Sequence, residues 1–408
     1  MTVGNGMKPK VQRPQMSSLG DPLVDLPPVE SLQERKKDRT SGRRPPMRKT
    51  KSRPRNSVHT ALAGGIRLSL CVAAVFVSTV VLAQQDDESI QATTSLPTNA
   101  DATINAPIIP KKRVLVSDPA NTAIVSEIAG DLLIVESIIP PGANGHTYEP
   151  VPGDAIKAAS ADLYIENGME LNTAVTNFVR SNYRSGTPEL SLADAIPKNQ
   201  VISTDTAEQI AAHGHAHTYN AHFWTNPEYA ILYAQQIGAV LSQIDAANSE
   251  TYTMRANAFI ERLRVLDRVF AAAIASIPPQ NKKLVVYHDS WSYFGRRYGI
   301  PVVGAIQPVS FSEPSADEIR KMIDQIRREA VPAFFGSEVF PSDVLNAISA
   351  ETQAKYYSDL SDEVLPGASG SPEHSYEGMM IQNVRMMTTA LGGDVSLLDN
   401  LTPGGLPS

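Results

Sequence analysis

Cysteine is almost missing from this chain. Cys71 is the single one among 408 residues, which excludes a disulfide within the chain and a thiolate metal cluster. Any metal site must then be built from imidazole and carboxylate groups. Histidine is scarce as well, with eight in all, yet four of them fall between His213 and His222. Basic charge is lacking over most of the length: residues 1–67 carry 15 Lys and Arg against 5 Asp and Glu, and the remaining 341 carry 21 against 38. An acidic body argues against nucleic acid as a partner and suits a small cation. The uncharged stretch "LSLCVAAVFVSTVVLA", residues 68–83, has sixteen residues, short of the ~20 that a spanning helix needs.

What is there divides into a tail and a body. Residues 1–67 are rich in Pro, Arg, Lys and Ser without apolar periodicity and read as a disordered basic region. The apolar core 68–83, with Val81-Leu82-Ala83 before Gln84, reads as a secretory signal peptide; an uncleaved anchor is the alternative. The basic stretch before it is long for a signal, and a translation start at Met47 would shorten it. Leu70 stands before Cys71 where lipid attachment wants a small residue. Residues 84–111 read as a flexible linker. The protein is expected to be exported, to the periplasm or to the outer face of the cytoplasmic membrane.

From residue 112 the pattern alternates between strand and helix. "KRVLVSD", "LLIVESII" and "DLYIENG" read as strands. "NTAIVSEIAGD" reads as a helix stopping at Gly130, "GDAIKAASA" as a helix with Asp154 as N-cap, and "ELNTAVTNFVRSNY" as a third. The order recurs after residue 280 in "KLVVYHD", "SWSYFGRRYG", "IPVVGAI", "SADEIRKMIDQIRREAV" with Ser315 and Glu318 as a capping box, "PAFFGSEV", "PSDVLNAISAETQA", "KYYSD" and "SYEGMMIQNVRMMTTALGG". Alternation of this kind predicts an α/β fold of two lobes, each a parallel sheet flanked by helices. Between them Met254, Phe259, Leu263, Leu266, Phe270 and Ile274 recur at helical spacing until Pro278. One helix of about 28 residues, roughly 42 Å long, would join the lobes as a rigid strut. The expected division is 112–245 for the N-terminal lobe, 246–278 for the linking helix, 279–395 for the C-terminal lobe and 396–408 for a tail.

Open α/β sheets bind ligands beyond the carboxyl ends of their strands. His146 in "PPGANGHTYEP" follows a strand, His222 in "AHFWTNPEYA" precedes the helix that Pro227 opens, and His288 in "VVYHDSW" and Asp359 in "KYYSDLSDE" stand at strand tips. Two lie in each lobe. Three imidazoles and one carboxylate make up one four-coordinate metal site in the cleft between the lobes. The competing reading is that each histidine caps or fills a surface site on its own.

The segments "PPGANGHTYEPVPGDAIKAASADLYIENGMEL", "AHFWTNPEYA", "HDSWSYFGRRYGI" and that around Asp359 resemble the zinc/manganese solute-binding proteins of ABC transporters, over roughly residues 112–395. The resemblance implies two α/β lobes joined by a long helix, with one divalent metal ion between them. Carried over by motif, His146, His222 and His288 match the family's histidine positions and Asp359 its carboxylate. Asn144-Gly145 stands where an Asp-Pro pair is common, and Asn226 where Asp is common; either could alter a supporting hydrogen bond. His213, His215 and His217 resemble, in a very short form, the histidine-rich loop of zinc-binding members, and either collect zinc weakly or are idle.

The function that the resemblance implies is capture of a divalent metal for import, with a membrane permease and its cytoplasmic ATPase as partners. A monomer holding one ion and catalysing nothing is expected. Zinc is expected over manganese, because manganese prefers more oxygen donors and manganese-specific relatives often carry a glutamate where His288 stands. A zinc hydrolase is the alternative of another class. It needs a general base near the metal, for which Asp289, Glu338 and Glu149 are the nearest in sequence, but no helical H-E-x-x-H pattern occurs. A surface adhesin is a third reading, compatible with metal binding.

Overall fold

The structure is a computed structural model and describes residues 110–204, 218–307, 314–337 and 343–404. The expectations for 1–67, for 68–83 and for nearly all of 84–111 fall outside the described residues, as do those for His213, His215, His217 and Glu338. What is described belongs to one compact unit, Asn99–Ser408. Among these residues no helix is long and apolar enough to cross a membrane.

The first lobe runs β1 (Arg113–Val116), α1 (Pro119–Ala129), β2 (Ile134–Ser137), α2 (Pro152–Ser160), β3 (Leu163–Glu166), α3 (Thr173–Asn182) and β4 (Glu189–Ser191). Its four strands are parallel, in the order β2-β1-β3-β4. Gly130 ends α1 at φ 55°. Helix α2 begins at Pro152, two residues before the expected N-cap. Asp154 is instead the third helical residue and reaches back to accept from Val151 N at 2.9 Å. The three-residue β4 has no alternation long enough to reveal it in the sequence, and its place is set by pairing with β3.

Two long helices follow, α4 (Pro227–Ile244) and α5 (Ser249–Ala275). The 27 residues of α5 come close to the expected strut. Its buried stripe is Tyr252, Ala256, Phe259, Ile260, Leu263, Leu266, Phe270, Ala273 and Ile274. Met254, read as part of that stripe, is 62% exposed, because two residues past Tyr252 is about 200° around a helix. The second lobe runs β5 (Leu284–His288), α6 (Ser292–Tyr298), β6 (Val302–Gln307), α7 (Ala316–Glu329), β7 (Ala333–Ser337), α8 (Asp343–Thr352), β8 (Lys355–Leu360) and α9 (Tyr376–Ala390). Its order, β6-β5-β7-β8, repeats that of the first lobe. The Ser315–Glu318 capping box forms as expected at the start of α7.

Strand alternation sorts the interior into three cores. Val114, Val116, Leu163 and Ile165 of the first sheet share one continuous core with Leu284, Val286, Ala333 and Phe335 of the second, through the buried faces of α1, α4, α5 and α9. The other face of each sheet packs its own small core: Leu115, Tyr164, Ala158 and Val175 in the first lobe, and Val285, Phe334, Met322 and Leu345 in the second. Arg262 of α5 also pairs with Glu127 of α1 and with the buried Glu377 of α9. Hinging the lobes apart would expose the shared core, at a cost of about 1.5–3 kcal/mol for each large apolar side chain uncovered.

Candidate metal centre

Each sheet reverses its winding between its second and third strands, and the crevice beyond their carboxyl ends is where an open α/β sheet binds its ligand. In the second lobe the tip of β5 is His288 itself. In the first lobe the tip of β1 is followed by Ser117 and Asp118, and these hold structure. Asp118 is buried and accepts from Ser117 Oγ at 2.7 Å, from Asn121 N at 2.9 Å and from Asn121 Nδ2 at 2.8 Å. Burial raises its pKa against those three hydrogen bonds. Asn121 Nδ2 also reaches Asn167 Oδ1, and Asn167 Nδ2 donates to the Ala221 carbonyl at 2.9 Å. That chain of bonds ends on the residue before His222.

His222 opens a short 3₁₀ turn (Phe223–Thr225) that leads into α4, where Asn226 Oδ1 caps by accepting from Glu228 N. Asn at 226 therefore does the capping work of an Asp. The imidazole is 2% exposed. Its Nδ1 lies 2.9 Å from Asn220 Oδ1, an oxygen that also accepts from the His222 backbone N–H. With Nδ1–H donating there, Nε2 keeps its lone pair for a metal, the usual device for orienting a ligating imidazole. Asn220 in turn donates to the Asp289 carbonyl and accepts at its own carbonyl from Tyr293 OH, both in the second lobe.

The three expected imidazoles converge. His222 Nε2 lies 2.9 Å from His146 Nε2 and 3.2 Å from His288 Nε2. One nitrogen from each ring falls within a set of atoms all within 4.8 Å of one another. Tetrahedral Zn–N bonds of ~2.0–2.1 Å would set such nitrogens ~3.4 Å apart, so one ion fits with small adjustments. Burial holds His146 and His222 neutral. It pushes the pKa of His146 down to about 3, aided by the neighbouring His288 and opposed by a hydrogen bond with the Leu171 backbone. His222 is pushed well down by burial first and by His288 and His146 second. Neutral imidazole is the form that binds metal.

Asp359 does not join them. It is exposed on β8 and accepts from Ser358 Oγ. The reason is a register slip: Phe335 pairs with Tyr357 but Ser337 with Leu360, so two residues of β7 oppose three of β8. The extra residue shifts the phase of the strand. Leu360 then fills the shared core, and Asp359, on an edge strand, faces outward. Asp362 is the carboxylate that arrives, 5% exposed and 3.8 Å from His222 Nε2. Its place is held by Trp224 Nε1, which donates to the Asp362 carbonyl at 2.7 Å. The sequence offered a signal in "SDLSDE", with three acids in five residues, but no means of choosing among them. Asn220, two residues before His222, carried no signal of its own.

The imidazoles line a cleft of about 640 Å³ whose walls also include Glu166, Glu170, Arg180, Asn220 and Asp289. One wall is a turn in which Gly168, Met169 and Glu170 all have positive φ, at 87°, 49° and 58°. Strain of that kind in non-glycine residues gathers at functional sites, and this turn delivers the Leu171 backbone to His146. Of the bases considered for hydrolysis, Asp289 lines the cleft, with both carboxylate oxygens 2.7 Å from Ser292 Oγ. Burial raises its pKa. Glu149 is exposed.

The profile of the family described as "ZnuA: Zinc-uptake complex component A periplasmic" matches residues 114–390. The iron-binding protein YfeA of Yersinia pestis is 30% identical over 270 residues, 66% of this chain and 83% of that protein. The manganese-binding lipoprotein MntA of Bacillus subtilis is 27% identical over 269 residues, 65% of this chain and 84% of its own. Among solved structures, the periplasmic zinc binding protein TroA of Treponema pallidum superposes with a TM-score of 0.61 over 69% of this chain and 99% of its own. Its 23% identity makes that a likeness of fold.

Proposed function

The chain belongs to the family of periplasmic zinc-uptake component A proteins, the substrate-binding proteins of metal ABC transporters, and from that premise we propose that it captures one zinc ion outside the cytoplasm. His146, His222 and His288 supply the imidazole donors, and Asp362, in place of Asp359, supplies the carboxylate. The loaded protein, a monomer, hands the ion to a membrane permease driven by a cytoplasmic ATPase. Export runs through the signal 68–83, and the mature chain begins near Gln84.

One observation carries the reading: three imidazole nitrogens gathered within 4.8 Å, two of them, on His146 and His222, kept neutral by burial. Three nitrogen donors and one oxygen suit the tetrahedral preference of zinc, and a filled set of four favours holding the ion over catalysis, which needs an open position for water. Manganese is the second reading, favoured by the name of the MntA relative. Affinity in the test tube does not separate the two, since zinc outranks manganese at nearly any nitrogen and oxygen site. Growth does. A strain lacking this protein should grow poorly when zinc is chelated and recover on added zinc, whereas recovery with manganese alone would overturn the zinc assignment. Elemental analysis of the protein taken from its host's envelope is the direct check.

A further inference from the structure

The residue before His146 is tied to both lobes. Gly145 is buried. Its carbonyl accepts from Asn172 Nδ2 at 2.6 Å, and its N–H donates to Glu363 Oε2 at 2.9 Å. Asn172 caps α3 in the first lobe. Glu363, 5% exposed, comes from the turn that follows β8 in the second. A Cβ at 145 would stand 2.5 Å from Glu363 Oε1, so any larger residue there would push the carboxylate aside. The contact requires a backbone N–H, which proline lacks. Glu363 follows Asp362 directly, so one dipeptide of the second lobe addresses both histidine-bearing loops of the first: Asp362 faces His222, and Glu363 holds the residue beside His146.

We propose that Gly145 and Glu363 form an inter-lobe latch that keeps the His146 loop in its ion-binding position and sets the rate at which the ion leaves. The proposal rests on the metal-receptor reading above. Glu363 is a positioning residue, acting on the ion through the Gly145 backbone. While the latch holds, His146 cannot withdraw without breaking a buried hydrogen bond to a carboxylate, which is stronger than one between neutral groups. Once it opens, the loop swings out with its imidazole, and the ion keeps two imidazoles and Asp362. Any movement of the 361–363 turn is thereby transmitted to the metal.

The test uses the exported chain loaded with zinc, with release followed after mixing with excess chelator. Glu363→Ala should speed release by about tenfold, as expected for losing a hydrogen bond to a charged group, with the association rate unchanged. Glu363→Gln keeps an oxygen to accept from Gly145 N–H and should restore most of the loss, and Gly145→Ala should reproduce the effect from the other side. Cobalt(II) in place of zinc should give the same visible absorption in every variant, because no donor is removed. Hydrogen exchange of the metal-free protein should be faster over residues 140–148 in Glu363→Ala than in the unaltered chain. Unchanged release together with unchanged exchange overturns the latch, and so does a changed cobalt spectrum in Glu363→Ala, which would make Glu363 a donor. Faster exchange in a protein that binds neither metal sinks the receptor reading, and the latch's control of release with it, leaving the Gly145–Glu363 bond as a structural tie alone. Should the alanine variant fail to fold, Glu363→Asp, one methylene short of Gly145, carries the same expectations.

Discussion

The two lobes share one strand order but serve the site by different means. At the winding reversal of the second lobe, the tip of β5 is a candidate donor, His288. At the same point in the first lobe, the tip of β1 leads to Asp118, which spends its hydrogen bonds on Ser117 and Asn121. The first lobe's candidate donors, His146 and His222, ride on loops instead, and its reversal point is filled with the polar network that reaches the residue before His222. A repeated topology therefore repeats positions without repeating roles. The lobe that offers candidate donors from loops surrounds them with Asn220, Asn172, Asn167 and the strained turn at 168–170.

The comparison breaks first if the lobes are energetically separate. Phe270→Ala, in the shared core, should cost about 3–5 kcal/mol and lower one common unfolding transition in denaturant. Two transitions, only one of them shifted, would show that the lobes fold independently. Next come the donors. His222→Ala and His288→Ala should each weaken zinc binding by more than about 100-fold, beyond the 10–100-fold typical of losing a supporting hydrogen bond, as read by competition with a chelator of known affinity. Asp118→Ala should cost about 1–3 kcal/mol of stability and weaken zinc about tenfold through the His222 loop. An unaffected zinc affinity would reduce the Asp118 network to a purely structural role.

A smaller effect concerns pH. The folded pKa of His146 lies near 3, below its unfolded value of 6.5, so between those values the unfolded chain binds the extra proton and stability falls as pH falls. The metal-free protein should be less stable at pH 5.5 than at pH 7.5 by between about one and two kcal/mol from this group, and bound zinc should add most to its thermal midpoint near neutral pH. A midpoint that holds or rises on acidification would place His146 in a wetter setting than its burial implies. The finest contrast lies within the second lobe: Asp362→Asn should weaken zinc about tenfold, and Asp359→Asn should leave it unchanged within about twofold. The reverse ranking would return the site to the carboxylate expected from the sequence motif.

Much of the molecule was legible in the chain itself. Gly130, Gly299, Pro227 and the Ser315–Glu318 box mark helix ends by local backbone chemistry, and apolar periodicity reveals α5, because those signals act over a few residues. The three histidines could be placed because strand tips and helix entrances are positions along the chain, and the winding of the sheet brings such positions together. What escaped was decided at a distance. Strand β4 exists because β3 offers it a partner. Met254 fell off the buried stripe because only packing fixes which helical face turns inward. Between Asp359 and Asp362 the choice rested on a bulge in the β7–β8 pairing and on a bond from Trp224, 138 residues earlier. Residue types and their order determined which groups could bind a metal. The packing of strand on strand and lobe on lobe decided which carboxylate arrived, since a one-residue slip turns a side chain to the opposite face and no local preference opposes it.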